Sequence, residues 1–225
     1  MDISDPELKL LLENSINGAL FDIANVIHYV FKDDYVSARL KNKLWFKFDG
    51  NKWKQIEEGP YYELSTTIIA HYESYLKELL LKEVELQTET SAENFEIDNE
   101  KIKNQLKLVQ SDISKTTTII DKLKNVNFKE SLCKECLYLF YDRDFISKLD
   151  KNEHLICFKN TLYDMRTRSN RSGTKEDMMS IYIDADFATA NSDSEGFNTL
   201  IDDFIQFRKG LLKKRHPKNI YTISI

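Results

Sequence analysis

Disulfide frameworks, membrane spans and nucleotide-hydrolysing loops each leave a mark on a sequence, and these 225 residues lack all three marks. Three cysteines cannot all pair within one chain, so the expected setting is intracellular and reducing. No apolar run approaches the roughly 20 residues that cross a bilayer. The start, Met1-Asp2-Ile3-Ser4-Asp5, lacks the basic and apolar stretches of a signal peptide, and no membrane partner is expected. Glycine (6) and proline (3) are scarce while Lys, Asn, Ile and Tyr are plentiful, a balance compatible with AT-rich coding.

A phosphate-binding loop needs Gly-x-x-x-x-Gly-Lys-Ser/Thr so that backbone amides cradle the phosphates. Ser172-Gly173-Thr174-Lys175 is only a fragment of that pattern. It has no second glycine in register and no apolar strand directly before it, so it reads as a polar turn. No ATP hydrolysis of the chain's own and no cofactor are expected. Positive charge is also in deficit. The net charge of −5 argues against a simple nucleic-acid-binding protein, although the placement of Lys and Arg matters more than their sum.

Hydrophobic residues make up 41% and charged residues 31%, enough for a core with solvated helices around it. Asp5-Pro6-Glu7 opens a helix: Asp is a good N-cap and Pro suits the first helical position. A second helix is expected from Ser15 to Phe31, with Leu20, Ile23, Ala24, Ile27 and Phe31 on one face. The period then changes. Tyr35–Leu40, the alternating Leu44–Phe48, the Asp49-Gly50 turn and Lys52–Ile56 read as a three-stranded antiparallel meander over residues 35–57.

After Gly59-Pro60 a long helix carries Leu64, Ile68, Tyr72, Tyr75 and Leu79, and Gln87–Glu96 reads as a loose loop. From Asp98, residues Ile102, Leu106, Val109, Ile113, Thr116, Ile120 and Leu123 step by four and three, a coiled-coil seam. The two helices are expected to form an antiparallel hairpin over 61–125. Asn127 and Glu130 suggest a capping box for the next helix, which carries Leu132, Cys133, Cys136, Leu137 and Phe140. Asp144–Leu149 reads as a further helical turn or two. His154–Phe158 and Leu162–Met165 read as strands about a Lys159-Asn160 turn. Arg166–Asp177 reads as a polar loop, Ser180–Asp184 as a short strand, and Phe197–Leu212 as a last helix before a basic end.

Three blocks in this order carry a resemblance. They are Asp22-Ile23-Ala24 leading into Lys32-Asp33-Asp34-Tyr35-Val36, then Trp45-Phe46-Lys47-Phe48-Asp49-Gly50-Asn51-Lys52-Trp53, then Leu155 through Met165. Over residues 19–190 the chain resembles the helicase-associated N-terminal domain of poxvirus-type primase–helicases of large DNA viruses. The resemblance implies a module between a primase and a hexameric helicase motor. One departure stands out: the family usually has glycine where this chain has Thr161, and threonine tolerates a positive φ poorly. The chain ends at Ile225 ahead of any phosphate-binding loop and has no primase module before Met1. It is therefore expected to be an excised piece, a split gene product or a degenerate remnant.

Candidate sites follow. Trp45 and Trp53 flank one turn among Lys43, Lys47, Lys52 and Lys54, and aromatics beside cations can stack bases and hold phosphates. Alternation puts Trp45 on the face opposite Leu44 and Phe48, leaving one face expected to be exposed. The simpler alternative packs the aromatics onto helices and lets the lysines protect strand edges. The expected nucleic-acid contacts are Trp45, Lys52, Trp53 and Lys54, with Arg208, Lys213, Lys214 and Arg215 from the basic end. Cys133, Cys136, His154 and Cys157 have zinc-like spacing but lie on apolar faces, so they read as core positions. The acidic pairs Asp33/Asp34, Asp142/Asp144 and Asp184/Asp186 lack a convergent His or Lys, so neither a nuclease nor any other catalytic group is expected.

The expected fold is α+β and mostly α. It comprises a helical body with a long antiparallel helical hairpin, the small three-stranded meander and a second small β element. Residues 1–190 are expected to form one helicase-associated domain and 191–225 a C-terminal helix and basic tail. The expected function is that of a non-catalytic module of a viral replication primase–helicase, at work in the host cytoplasm or a viral replication site. Its expected partners are single-stranded or forked DNA, the helicase motor and primase domains, and further copies of itself. The alternative is a structural interaction or oligomerisation module that uses the helical hairpin without DNA.

Overall fold

Asp5 caps the first helix as anticipated: its carboxylate accepts from the Glu7 amide at 3.0 Å and Pro6 opens helix α1, Pro6–Ser15. Gly18, at φ 82, breaks the chain before α2, Leu20–Phe31, so the second helix starts later than Ser15 because that residue closes the first. Asp5 also accepts from the Tyr29 hydroxyl at 2.7 Å, tying α2 to the start of α1. That bond and burial push the Tyr29 phenol up to about 12. The computed structural model describes residues 5–91, 96–187, 199, 202–207, 210 and 222–223. They fall into two compact units, one from residues 1–32 and 58–141, the other from 33–57 and 142–225. The sequence grouping of 1–190 cuts across this division, because the meander packs with the C-terminal segments.

The first unit is helical. After α2, a short helix α3 (Tyr61–Glu63) leads through a π-helical turn (Leu64–Ile68) into α4 (Ile69–Ser91), and α5 follows (Glu96–Leu123). The described residues of the expected loose loop at Gln87–Glu96 are helical: α4 continues to Ser91 and α5 starts at Glu96. The stripe Leu64, Ile68, Tyr72, Tyr75 and Leu79 is buried. Along the seam Val109, Thr116, Ile120 and Leu123 are buried and Ile102, Leu106 and Ile113 half-buried. α4 and α5 are packed neighbours, so the seam closes within the chain. Tyr72 buries its hydroxyl against the Ser15 hydroxyl at 2.7 Å, and Ser15 donates to the Leu12 carbonyl. Helix α6, Val126–Leu139, packs against α2. Its cap is Asn125, which accepts from the Phe128 amide at 3.3 Å, rather than the Asn127–Glu130 pair.

The second unit holds both sheets. β1 (Tyr35–Arg39), β2 (Leu44–Phe48) and β3 (Trp53–Ile56) form the antiparallel meander, with Phe48 opposite Trp53 and Ser37 opposite Trp45. One face of it, with Ala38, Phe46 and Trp53, packs on Phe145 and Leu149 around the short α7, Phe145–Lys148. The other sheet has five strands in the order β6-β5-β4-β7-β8: β4 Leu155–Phe158, β5 Leu162–Asp164, β6 Ser169–Arg171, β7 Tyr182–Ile183 and β8 Thr222–Ile223. The expected polar loop at Arg166–Asp177 is thus partly structured, with strand β6 and a 3₁₀ turn at Lys175–Asp177. β4 is apolar throughout because both its faces are covered. Ile156 and Phe158 join Tyr163, Ile181, Ile183, Phe187 and Phe204, while Leu155 and Cys157 join Leu162 and Met179. Phe204 belongs to residues 202–207, which with 199 and 210 are the described residues of the expected last helix.

Backbone stitches join the meander to the sheet segments inside this unit. The Trp53 amide donates to Met179 O at 2.7 Å and the Asp142 amide to Ser37 O at 3.0 Å. The Gly173 amide donates to Asn51 Oδ1 at 2.8 Å, and a Cβ on Gly173 would lie 2.3 Å from Asn51 O. Asp150, buried and at φ 58, accepts from the Ser180 amide, the Ser180 hydroxyl and the Ile181 amide at 2.6–2.9 Å. Thr161 is not among the positive-φ residues, so the absence of the family's glycine strains nothing there. Its hydroxyl donates to Arg171 O at 2.9 Å.

Gly173→Ala forces a methyl into backbone that has no rotamer to yield. Overpacking of this kind costs about 1–3 kcal/mol. Gly50→Ala meets open space and carries only the backbone strain of φ 95, about 1 kcal/mol. Urea unfolding of both variants should rank them in that order, and a Gly173→Ala protein as stable as the parent would refute the close-packed contact.

Candidate nucleic-acid interface

The meander turn is built on Asp49. Gly50 takes the left-handed φ that the bend needs, the Asp49 amide donates to Lys52 O at 3.0 Å, and Asp49 Oδ1 accepts from the Lys52 amide at 3.2 Å. The second carboxylate oxygen faces two ammonium groups, Lys54 Nζ at 2.5 Å and Lys52 Nζ at 3.6 Å. Burial pushes the Asp49 carboxyl up. The hydrogen bond from Lys54 and the charges of Lys52 and Lys54 outweigh it, so the group sits below the ordinary carboxylate value. The same bond raises the Lys54 ammonium.

This geometry corrects the picture of an open basic, aromatic surface. Lys52 is 3% exposed, with its Nζ 4.1 Å over the Tyr182 ring centroid. Trp53 is 4% exposed, packs edge-on to Phe145 at 5.1 Å, and donates its indole N–H to Lys175 O at 3.1 Å. Trp45 is 3% exposed. The two indoles therefore present no free ring face for a base, since each lies within packed protein. Lys54 keeps an exposed side chain but is paired with Asp49. Arg208, Lys213, Lys214 and Arg215 lie outside the described residues.

Exposed arginines gather on the β5–β6 hairpin, within the segment expected to be a polar loop. Arg166 through Lys175 holds four cations and no carboxylate. Asp164 shapes the turn. Its Oδ1 accepts from the Arg166 amide at 2.9 Å, and its two oxygens take the Arg166 guanidinium at 3.3 and 3.0 Å. That guanidinium holds the Asp164 carboxyl down at about 2. Arg171 pairs with Asp177 through both terminal nitrogens, and Lys175 reaches Asp34 at 2.9 Å. Arg168, at φ 49 in the turn, has no ion pair among the described residues. The signal that could have found this element is the spacing Arg166-Thr-Arg168-Ser-Asn-Arg171 directly after the Tyr163-Asp164 strand end.

No other chemistry converges. Among the described residues no three of His, Cys, Asp and Glu come together as a metal site. Cys136 and Cys157 are buried thiols, and burial pushes both up, Cys157 to about 12. Cys133 is half-buried on α6 and His154 exposed before β4.

A family model described as D5 N terminal like matches residues 24–206. Three viral proteins, each named "Putative helicase", are similar to the chain. The one from Acanthamoeba polyphaga mimivirus is 27% identical over 207 residues, covering 92% of this chain and 19% of that protein. The one from Frog virus 3 (isolate Goorha) is 24% identical over 192 residues, 76% of this chain and 19% of that protein. The one from Invertebrate iridescent virus 3 is 36% identical over 77 residues, 34% of this chain and 8% of that protein. The chain thus spans about a fifth of the length of the first two relatives.

Asp49→Ala leaves the Lys52 ammonium buried without its carboxylate, and breaking such a pair costs roughly 3–5 kcal/mol. Because the folded pKa of Asp49 is depressed, its contribution is complete above the ordinary carboxylate value and is lost as pH falls through the folded one. Acid unfolding followed by circular dichroism should show that loss below about pH 4 in the parent. The same step undiminished in Asp49→Ala would remove Asp49 as its source.

Proposed function

We propose that this chain, which belongs to the D5 N terminal like family, is a non-catalytic accessory module of a viral-type DNA-replication primase–helicase. It connects or positions the helicase motor and contacts the DNA that enters it. The observation that supports this reading best is coverage. Nearly the whole chain aligns with 19% of a mimiviral protein whose name is that of a helicase, which leaves most of that protein for other domains. The chemistry within the chain is in keeping with a supporting part. Gly173, the glycine of the phosphate-loop fragment, faces the Asn51 backbone rather than an open cradle. The partners are single-stranded or forked DNA and the motor and primase domains, with self-association as part of a larger ring. The place of action is the host cytoplasm or a viral replication site.

A second reading, a protein-interaction module without DNA, has one observation in its favour. Leu80, Leu81 and Val84 on α4 and Leu108 on α5 are exposed. On α4 they are three and four residues apart, on a face turned away from the buried Tyr72, Tyr75 and Leu79. A partner would meet these residues rather than the seam, which already packs inside the chain.

The purified chain should not turn over ATP, and its affinity for fluorescent single-stranded and forked DNA should fall steeply as salt rises. Robust ATP turnover that responds to mutation would sink the accessory reading. Absence of DNA binding even at low salt would transfer the function to the second reading. The combined change Val109→Asp with Ile113→Asp tests the seam. Burying an unpaired charge costs roughly 3 kcal/mol or more, so the variant should lose helicity and unfold. A variant that stays folded and only loses self-association would place the seam between chains.

A further inference from the structure

The geometry points to the β5–β6 hairpin as the element that grips the sugar–phosphate backbone of a nucleic-acid strand. This inference rests on the DNA-contacting part of the reading above and names its surface. Every residue from Arg166 to Ser172 is exposed, in the order Arg, Thr, Arg, Ser, Asn, Arg, Ser. Each of these side chains can donate a hydrogen bond to a phosphate oxygen. β6 is the edge of its sheet, so the row lies open along one strand.

The three arginines are presented in different ways. Arg166 turns Nε and one terminal nitrogen to Asp164, which orients the guanidinium and leaves the other terminal nitrogen outward, with the side chain 60% exposed. Arg171 uses both terminal nitrogens on Asp177 and keeps Nε, with its side chain 43% exposed. Arg168 at the turn is exposed and has no ion pair among the described residues. Thr167 and Ser169 hydroxyls bond each other at 2.8 Å across the turn and hold its shape. An arginine fork keeps its charge at every working pH and suits phosphate geometry.

The choice between nucleic acid and an acidic protein is made by what the hairpin lacks. From Arg166 to Ser172 it offers no apolar or aromatic side chain, whereas protein interfaces are anchored by such residues at their centre. The one adjacent apolar residue, Met165, packs against the core that contains Tyr163 and Phe187. The lack of an exposed aromatic also means that no base is stacked, so binding follows the backbone and is indifferent to sequence.

The test uses the whole chain with fluorescent oligo-dT, a mixed-sequence strand and a forked duplex across a salt series. Arg168→Asn removes the unpaired charge, and asparagine accepts the left-handed backbone, so the fold should melt as the parent does. Its log–log salt slope on single strands should fall by about 0.7, one phosphate contact. Arg168→Lys should keep the slope. The triple change Arg166→Ala, Arg168→Asn, Arg171→Ala should lower the slope by about 2 and weaken binding at least about tenfold at moderate salt. Should the triple variant unfold, Arg168→Glu decides in its place. Parent binding with unchanged slopes in all these variants would overturn the hairpin while leaving a DNA-contacting module intact. A parent that binds no DNA at low salt would overturn both. Competition by polyglutamate as effective as by DNA at equal charge would overturn the nucleic-acid assignment in favour of an acidic protein.

Discussion

The sheet-bearing unit depends on one close approach, the Gly173 backbone against the Asn51 backbone at the tip of the meander. Two segments more than a hundred residues apart in sequence can meet there only because position 173 carries no side chain. Once they meet, the Trp53 amide and indole find the Met179 and Lys175 carbonyls, and Lys175 finds Asp34. The bracket at Asp150 then fixes Ser180 and Ile181 at the entry to β7. Each of these contacts satisfies a polar group that the fold removes from water, so each would cost more broken than it contributes made.

The same packing explains why the tryptophan block is informative about family and silent about ligands. Trp45, Lys52 and Trp53 are all buried. Asp49 pairs with both lysines of the turn, and Tyr182 faces the Lys52 ammonium through its ring. Of Trp45, Lys52, Trp53 and Lys54, which read as a cationic, aromatic surface along the chain, only Lys54 keeps an exposed side chain. On the β5–β6 hairpin Arg166 and Arg171 pair with Asp164 and Asp177 and keep 60% and 43% of their side chains exposed, while Arg168 is exposed at the turn.

The helical unit divides its apolar residues in a comparable way. Seam residues Val109, Thr116, Ile120 and Leu123 close onto the chain's own α4 side, and Tyr72 hides its hydroxyl against Ser15. Leu80, Leu81, Val84 and Leu108 remain outside. With the seam packed against α4, these residues are the exposed large apolar side chains of α4 and α5 among the described residues.

Periodicity and turn chemistry made most elements legible: the Asp5-Pro6 helix start, the three meander strands around Asp49-Gly50, the stripe from Leu64 to Leu79, the seam to Leu123, and β4 and β5. These signals are local, set by side chains within a few residues, and the order of the blocks was enough to suggest the family. Elements with weak local pattern escaped. α4 runs on through polar residues to Ser91, and β6, with no apolar residue in Ser169–Arg171, exists because β5 offers it hydrogen bonds. The start of α2 and the cap of α6 shifted by a few residues because several residues compete for those roles. Burial was legible for the periodic apolar stripes but not for the meander turn or the arginine hairpin. Whether Trp53 meets solvent or Phe145, whether Lys52 meets a phosphate or Asp49, and which arginines face outward are settled by which distant segments pack together, and that is a property of the tertiary structure.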